Sequence, residues 1–316
     1  MTKPQINFID RTPPKNVKDV LNHYSYYINE AVNFGTNLLS WDNKDSLDKS
    51  PVSILLFRQF LDILDALSIL VESGSSGSSK ILLRSIYELN LFVHFISQKH
   101  TKERAIAYLV FDIFDHLKEL DKLDTDLQPG IYIKNIISKE KWLKSFEHKH
   151  KVQEISDERN RLQELLKDPE FAVVLNEYDA RKAELKFDKD KIKKLKWYCL
   201  FEGATNIESL SKKLEKQTLY ELLYRNWSKS VHVMDIFDDK GTMLDAEHIF
   251  IHPIREPTGL MLISKYACNL AINTFAYFVS ISHQPRLHEY QAWQTSFIDK
   301  YSDQLDHEYI KRTFKS

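Results

Sequence analysis

The chain has 316 residues, with 44 basic and 45 acidic side chains and a formal net charge of −1. This balance excludes proteins that hold nucleic acid through overall positive charge, so a nucleic-acid partner would require a local basic patch. Glycine occurs only 7 times, and long segments show the 3.6-residue periodicity of helices. We therefore expect an all-α protein with a large apolar core.

Four helices are predicted in the first 120 residues. Their ranges are Asn16–Leu39, Pro51–Val71, Lys80–Gln98 and Lys102–Leu120. The segment Ser73–Ser79, SGSSGSS, predicts a natural turn with a serine N-cap. Pro129-Gly130 predicts a second turn.

The helix Lys80–Gln98 is apolar nearly all round, so we expect it to be buried on most sides. It nevertheless carries Arg84 and Glu88, one turn apart. A buried charge without a partner costs several kcal/mol, so both side chains need partners in the fold. This helix is therefore a candidate wall of a polar site.

Residues 138–194 are dominated by charged side chains and are interrupted at Asp168-Pro169. We interpret them as a charged helical hairpin inserted in a single helical domain, 1–316, with largely solvated faces. The hairpin is a solvated arm by default, and the alternative is a surface for a protein partner. The basic run Lys191–Lys196, KIKKLK, is the part most typical of nucleic-acid binding. His148 and His150 do not predict a metal site, because positions i and i+2 of a helix diverge.

A further helix is predicted over Tyr220–Asp235, YELLYRNWSKSVHVMD. Arg225 and His232 are seven residues apart, which places them on one side of a helix, roughly 10 Å apart along its axis. Ser228 lies between them. Phe237–Phe250 is predicted as a loop.

A core helix is predicted after the loop Phe237–Phe250. Leu260–Ile281 has the length of a membrane span, but polar residues recur along one face: Lys265, Asn269 and Asn273. We expect a central core helix and no membrane partner. The tail Leu287–Ser316 predicts two short helices.

Two expectations concern the compartment. Cys199 and Cys268 lie in apolar segments, which is typical of reduced thiols in a cytoplasmic protein. The first residues, MTKPQINFIDRTPPK, lack the apolar core of a signal peptide.

Two segments, LLRSIYELNLF at 82–92 and the stretch 197–232 that contains YRNWSKSVH, carry a family resemblance. They resemble the domain-of-unknown-function family 5677, whose pattern includes LLRSxxE and YRxxSxxxH. The resemblance covers about residues 50–120 and 195–282, with Pro253-x-Arg255 in its downstream part. It leaves the charged hairpin and the tail outside, and it implies an all-helical fold.

The arrangement R-x6-H is also similar to the signature of the HEPN superfamily. That resemblance implies a HEPN-like multi-helix bundle and a metal-independent endoribonuclease without cofactors, working in phage defence or as a toxin. It also implies a homodimer with RNA as substrate, and Arg225 and His232 as the catalytic pair beside Ser228.

The residue types suit this chemistry. Histidine transfers protons near neutral pH, and the arginine fork stabilises a phosphate. Arg84, Glu88 and Tyr224 are expected to support the site, and Arg255 is a candidate second phosphate contact. Two alternatives stay open: a buried structural network of Arg225, Arg84 and Glu88, and a non-catalytic module that binds RNA, a nucleotide or a protein partner.

Overall fold

The computed structural model describes residues 13, 15–41, 51–140, 142, 152–227, 241–243, 249–251, 254–255 and 257–301. These residues form a predominantly α-helical protein, as predicted. The helices in chain order are α1 Lys18–Ser40, α2 Pro51–Glu72, α3 Ser76–Gln98, α4 Thr101–Leu123, α5 Gln128–Lys139, α6 Val152–Leu165, α7 Pro169–Glu184, α8 Lys189–Lys193, α9 Ile207–Lys213, α10 Gln217–Leu219, α11 Leu260–Ser282 and α12 Leu287–Lys300. Short 3₁₀ helices lie at Lys15–Val17, Trp197–Cys199 and Gln284–Arg286, and a π-helical turn, Tyr220–Arg225, follows α10.

The packing groups the chain into two compact units, residues 1–99 with 207–316 and residues 100–206. In the first unit α2 packs between α1 and α3, and α11 contacts all three of these helices. Aromatic rings fill the centre of this bundle, where Phe57 stacks on Phe278 with ring centroids 3.9 Å apart. The long apolar segments therefore form helices because their stripes are buried against one another.

Helix α11 is the core helix that its sequence predicts. Asn269 and Asn273 of its polar face are buried, and the Tyr290 hydroxyl of α12 donates to the Ile272 carbonyl at 2.8 Å. None of the helices in the described ranges is both long and apolar enough to cross a bilayer.

The predicted turn between α2 and α3 is present, and the N-cap residue of α3 is a serine, Ser75, as expected. Gly74 adopts a left-handed φ of 75°, a conformation that favours glycine, and the amides of Ser73, Gly74 and Ser75 donate to carbonyls at the end of α2. The side chain of Ser75, the N-cap residue of α3, makes no capping hydrogen bond. The glycine conformation stops α2, so a capping side chain is not needed for the reversal.

In the second unit α4 contacts α5, α6, α7 and the 3₁₀ helix Trp197–Cys199. Asp168 caps α7 by accepting from the Glu170 amide at 2.9 Å, at the predicted interruption. The charged segment 138–194 thus belongs to a larger compact unit, His100–Asn206. Its interpretation as an insertion in one domain stays a prediction.

Two local predictions are corrected. Pro129-Gly130 is not the predicted turn; both residues lie in the first helical turn of α5, where proline is well tolerated. The predicted loop Phe237–Phe250 contains strand β1, Gly241–Met243, which pairs antiparallel with β2, Ile249–Ile251. Three-residue strands are too short for the alternation of polar and apolar residues to reveal them.

Candidate functional site

The helix predicted over Tyr220–Asp235 is described as far as Trp227, and Ser228 and His232 lie outside the described residues. Its first part, Tyr220–Arg225, is π-helical. A π turn closes hydrogen bonds between residues five apart and so carries one residue more than an α-turn. Asn226 and Trp227, which follow the turn, are therefore displaced by about 100° from the α-helical spacing that the sequence suggests.

Arg84 of α3 holds the π turn against the bundle. Its Nη2 donates to the Tyr224 hydroxyl at 2.7 Å, and its Cζ lies 4.0 Å from the centroid of the Tyr224 ring. Glu88 lies 3.5 Å from Arg84 Nε. The expectation that the charges on α3 need partners is confirmed, because Arg84 is only 18% exposed and contacts both residues.

Arg225 follows Tyr224 directly, and its side chain is 54% exposed. Its guanidinium pairs with Glu208 of α9 at 3.3 Å and with Glu221 of its own turn at 3.1 Å. Hydrogen bonding and charge from Lys212, together with Arg225, lower the pKa of the Glu208 carboxyl. Arg225 thus lies at the surface. The alternative of a buried network that joins Arg225 to Arg84 and Glu88 is not what the structure shows.

A buried hydrogen-bonded anchor lies beside this turn. The Tyr87 hydroxyl of α3 is 2.8 Å from Ser211 Oγ and 3.1 Å from the Lys216 carbonyl oxygen. Ser211 Oγ donates to the Ile207 carbonyl at 2.7 Å. Burial raises the pKa of Tyr87, so its hydroxyl keeps its proton and serves as a donor.

Lys216, between α9 and α10, is a buried cation that the sequence did not predict. It is 6% exposed, and its Nζ lies 5.7 Å from the centroid of the Tyr277 ring. His94 stacks on the same Tyr277 ring, with ring centroids 4.0 Å apart. Burial lowers the pKa of Lys216 to about 8, and burial together with Lys216 lowers that of His94 to about 3. No sequence pattern marked Lys216, because its neighbours Glu215 and Gln217 are polar.

The structure therefore brings Arg84 and Glu88, in the middle of α3, next to Tyr224 of the π turn, with Arg225 following Tyr224 at the surface. Arg255 lies elsewhere, next to the turn at Gly74: a Cβ built on Gly74 would be 3.7 Å from the Arg255 Cβ. Within the described ranges, no three His, Cys, Asp or Glu side chains are grouped so that they could hold a metal ion. The catalytic and supporting roles of these residues stay predictions.

Chemically, this part of the surface offers one accessible guanidinium held between two carboxylates, next to a tyrosine whose hydroxyl is fixed. Burial raises the pKa of Tyr224, an effect that the hydrogen bond from Arg84 opposes in part. Tyr224 is therefore neutral at physiological pH. Arg225 is the group of this cluster that an anionic ligand can reach.

A comparison with protein-family models matches residues 51–240 of the chain to a family of unknown function, DUF5677. The match runs through the charged segment 138–194, which the motifs alone placed outside the resemblance, and it ends before Arg255. No curated protein and no solved structure matches the chain. Because the match covers more than half of the chain, the protein belongs to the DUF5677 family.

Proposed function

We propose that this protein is a metal-independent endoribonuclease of the HEPN type, with Arg225 and His232 as its catalytic pair and Ser228 beside them. The observation that supports this proposal is the exposure of Arg225 at the π turn. A guanidinium sealed in the core would have no access to a phosphate. Arg84, Glu88 and Tyr224 are positioning residues in this proposal, because they fix the turn that carries Arg225.

The ion pairs of Arg225 are compatible with substrate binding. Exposed salt bridges contribute only about 0–1 kcal/mol each, so a phosphate can displace Glu208 and Glu221 at little cost. A bidentate contact between arginine and phosphate is stronger than either of these exposed pairs. The two carboxylates would hold the guanidinium at the surface until the substrate arrives.

The proposed reaction is transesterification of RNA. The 2′-oxygen loses its proton to a base and forms a bond to phosphorus, while the bond from phosphorus to the 5′-oxygen breaks. The 5′-oxygen takes up a proton, and the products are a 2′,3′-cyclic phosphate and a 5′-hydroxyl. Arg225 would stabilise the charge on the phosphoryl oxygens, and His232 would act as one of the two proton-transfer groups.

This chemistry needs a second proton-transfer group, which in the proposal is His232 of a second copy in a homodimer. Specific activity should then fall on dilution below the dimer dissociation constant, and sedimentation measured over the same concentrations should show dimer giving way to monomer. Constant specific activity from a monomer would contradict the shared site.

The test of the activity is incubation of the full-length protein with tRNA in excess EDTA. We expect cleavage that survives chelation and leaves cyclic phosphate ends. Arg225→Ala and His232→Ala should each reduce the rate on the order of 100-fold, the usual cost of removing a group that stabilises transition-state charge or transfers a proton.

Arg58→Ala is the matched control. Arg58 is also 54% exposed and pairs with a carboxylate four residues on, Asp62. Its replacement should leave the rate within twofold. Equal losses in the Arg58 and Arg225 variants, or cleavage that requires a divalent metal, would contradict the proposal. RNA binding without cleavage in any condition would favour the alternative, a non-catalytic binding module.

The biological role follows from the activity. We propose a cytoplasmic effector of antiviral defence or of a toxin system, which would arrest growth by cleaving cellular RNA. Induced expression should stop growth for the natural chain and for Arg58→Ala, but not for Arg225→Ala at equal protein level. Arrest by all three chains would assign the toxicity to something other than cleavage.

A further inference from the structure

A basic cavity lies in the second compact unit, where the end of α7, helix α8 and the loop after the 3₁₀ helix Trp197–Cys199 meet. Its volume is about 790 Å³. Sites for small molecules have volumes of roughly 300–1,000 Å³, so a nucleotide fits in it. One carboxylate, Glu184, faces five basic residues of the lining: Arg181, Lys191, Lys193, Lys194 and Lys196.

Two of these cations are available to a ligand. Arg181 is held by Glu177 at 3.1 Å and by Glu184 at 2.8 Å, and Lys191 and Lys193 face aspartates of their own helix turn. Lys194 and Lys196 are exposed, and in the part of the chain that the structure describes neither lies within ion-pair distance of a carboxylate. They supply uncompensated positive charge at the cavity.

The same cavity has an apolar wall. The residues that form it are Leu185, Leu195, Tyr198 and Ala204. A wall with an aromatic ring is suited to a planar apolar group, and lysines are suited to phosphate. An inorganic anion would use only the lysines. A nucleotide, which has both a ring and a phosphate, would use both.

The wall is fixed before any ligand binds. Arg104 of α4 is completely buried and donates through Nη2 to the Phe201 carbonyl at 2.9 Å. The Ala204 amide donates to the Tyr198 carbonyl at 2.9 Å. A Cβ on Gly203 would lie 1.9 Å from that carbonyl oxygen, so only glycine permits this close approach. A preformed site loses little conformational entropy on binding.

A second cavity, of about 480 Å³, adjoins the first. Lys193, Leu195 and Lys196 line both, so the segment that holds them is a common wall. The lining of the second cavity includes three aromatic rings, with the Phe111 and Phe114 centroids each within 5.5 Å of the Tyr178 centroid. It also includes two carboxylates, Asp115 and Asp179, which pair with Lys118 and Lys182. Aromatic side chains in two cavities that share a wall with lysines provide places for two successive bases joined by a phosphate.

We propose that these two cavities bind consecutive nucleotides of single-stranded RNA, with Lys194 and Lys196 at the phosphates and Tyr198 against a base. The choice of RNA rests on the proposed function, whereas the nucleotide chemistry does not. A free nucleotide has the same chemistry, so the experiment must separate the two sources.

The first measurement is fluorescence anisotropy of a labelled 2′-O-methyl RNA 12-mer with the full chain. This oligomer has no free 2′-hydroxyl and is not cleaved, so binding is measured even if the proposed ribonuclease activity is absent. The double variant Lys194→Ala/Lys196→Ala should bind about tenfold more weakly. The slope of log affinity against log salt should fall by about 1.4, since each contact to a single-strand phosphate contributes roughly 0.7.

The matched control is Lys134→Ala/Lys139→Ala. Both lysines are exposed on α5 and line neither cavity, and their loss changes the net charge by the same amount. The control should bind within twofold of the natural chain. Equal weakening in the two double variants would overturn the site and leave only an effect of net charge.

The second measurement uses Cys199, which lines the first cavity and accepts through Sγ from the Lys196 amide at 3.3 Å. Cys268, the other cysteine of the chain, is buried and should not react. Burial raises the pKa of the Cys199 thiol, so its alkylation should be slow enough to follow at pH 8.5. At a 12-mer concentration about ten times the Kd of the natural chain, alkylation should slow at least fivefold in the natural chain and in the control. It should slow only about twofold in Lys194→Ala/Lys196→Ala, because tenfold weaker binding leaves about half of that variant free.

Three ligands distinguish the outcomes. Protection by the 12-mer but not by 1 mM AMP supports an RNA site. Protection by AMP at the same half-saturating concentration as the 12-mer overturns RNA in favour of a free nucleotide, and equal protection by inorganic tripolyphosphate overturns the contact with a base. No protection by any of the three overturns the site.

Discussion

Individual buried cations show how strongly the core perturbs the side chains that it encloses. Arg104 is completely buried, and burial lowers its pKa to about 10, with Glu202 acting in the opposite direction. The sequence carried a signal for this position, since Arg104 shares a helical stripe with Tyr108 and Phe111. Lys216 had no such signal. Periodicity can show that a charge lies on a buried face, but it cannot identify a charge that is buried by a distant helix.

The lowered pKa of Lys216 predicts how the free energy of unfolding changes with pH. Its pKa is lowered from 10.5 to about 8 in the folded chain. Between these values the unfolded chain binds more protons, so this group makes stability rise with pH from about 8 to about 10.5 and has a constant effect below 8. The full effect of this shift has an upper limit of roughly 3 kcal/mol.

The measurement is urea unfolding of the natural chain and of Lys216→Met at several pH values from 6.5 to 10. The variant should be the more stable one at pH 7, and its advantage should be constant up to about pH 8 and shrink above it. The other ionisable groups are present in both chains, so the difference between the chains isolates the contribution of Lys216. A difference that does not change with pH would show that the Lys216 ammonium is as well solvated as in the unfolded chain.

At the scale of elements, long periodic segments were predicted well. Helices α2 and α11 begin and end within one residue of their predicted bounds. Their apolar stripes determine which segments must be buried, so periodicity identifies them. The strands β1 and β2 and the π turn were not predictable, since each depends on a few hydrogen bonds rather than on a repeated pattern. The same holds for the site: the charges on α3 indicated a partner, but only the fold identifies it as Tyr224, 140 positions along the chain.

The close packing around Gly35 leads to a second prediction, on the stability of a substituted chain. It lies in the middle of α1, where glycine costs about 1 kcal/mol relative to alanine. A Cβ at this position would lie 2.4 Å from Leu61 Cδ2 of α2 and 3.0 Å from Phe275 Cζ of α11. Gly35→Ala should therefore destabilise the chain by about 1–3 kcal/mol, as overpacking does, despite the better helix propensity of alanine.

The control for this substitution is Asn33→Ala on the exposed side of the same helix. It should change stability by less than about 0.5 kcal/mol, as surface substitutions do. Both variants are compared by thermal and urea unfolding. A stabilised Gly35→Ala would mean that Leu61 moves aside without loss.

For the whole molecule, the two compact units predict that destabilisation is local. Gly35→Ala acts in the unit that contains α1, α2, α3 and α11, and Arg104→Ala acts in the unit His100–Asn206. Each substitution should raise amide hydrogen exchange mainly in its own unit, because opening occurs in contiguous cooperative segments. Mass spectrometry of exchange measures both units in one experiment, so each variant is the control for the other. An equal rise in both units would indicate a single cooperative fold, as the prediction of one domain implies.

The all-α class was predictable from the whole chain, because composition and periodicity act over hundreds of residues. The grouping of α4 and α5 with the charged helices was not, since the amphipathic pattern of α4 does not show which neighbours cover its apolar face. The family match, which runs continuously from residue 51 to 240, likewise includes this second unit.

The π turn at Tyr220–Arg225 also makes the helix sensitive to the number of its residues. Deleting Leu222, which is exposed, would leave an ordinary α-helical turn, yet it would rotate Trp227 by about 100° away from Tyr266, whose ring centroid is now 6.4 Å from that of Trp227. The chain without Leu222 would thus form a more regular helix, but the Trp227 indole would no longer contact α11. The extra residue makes chain length, as well as residue type, a determinant of this surface.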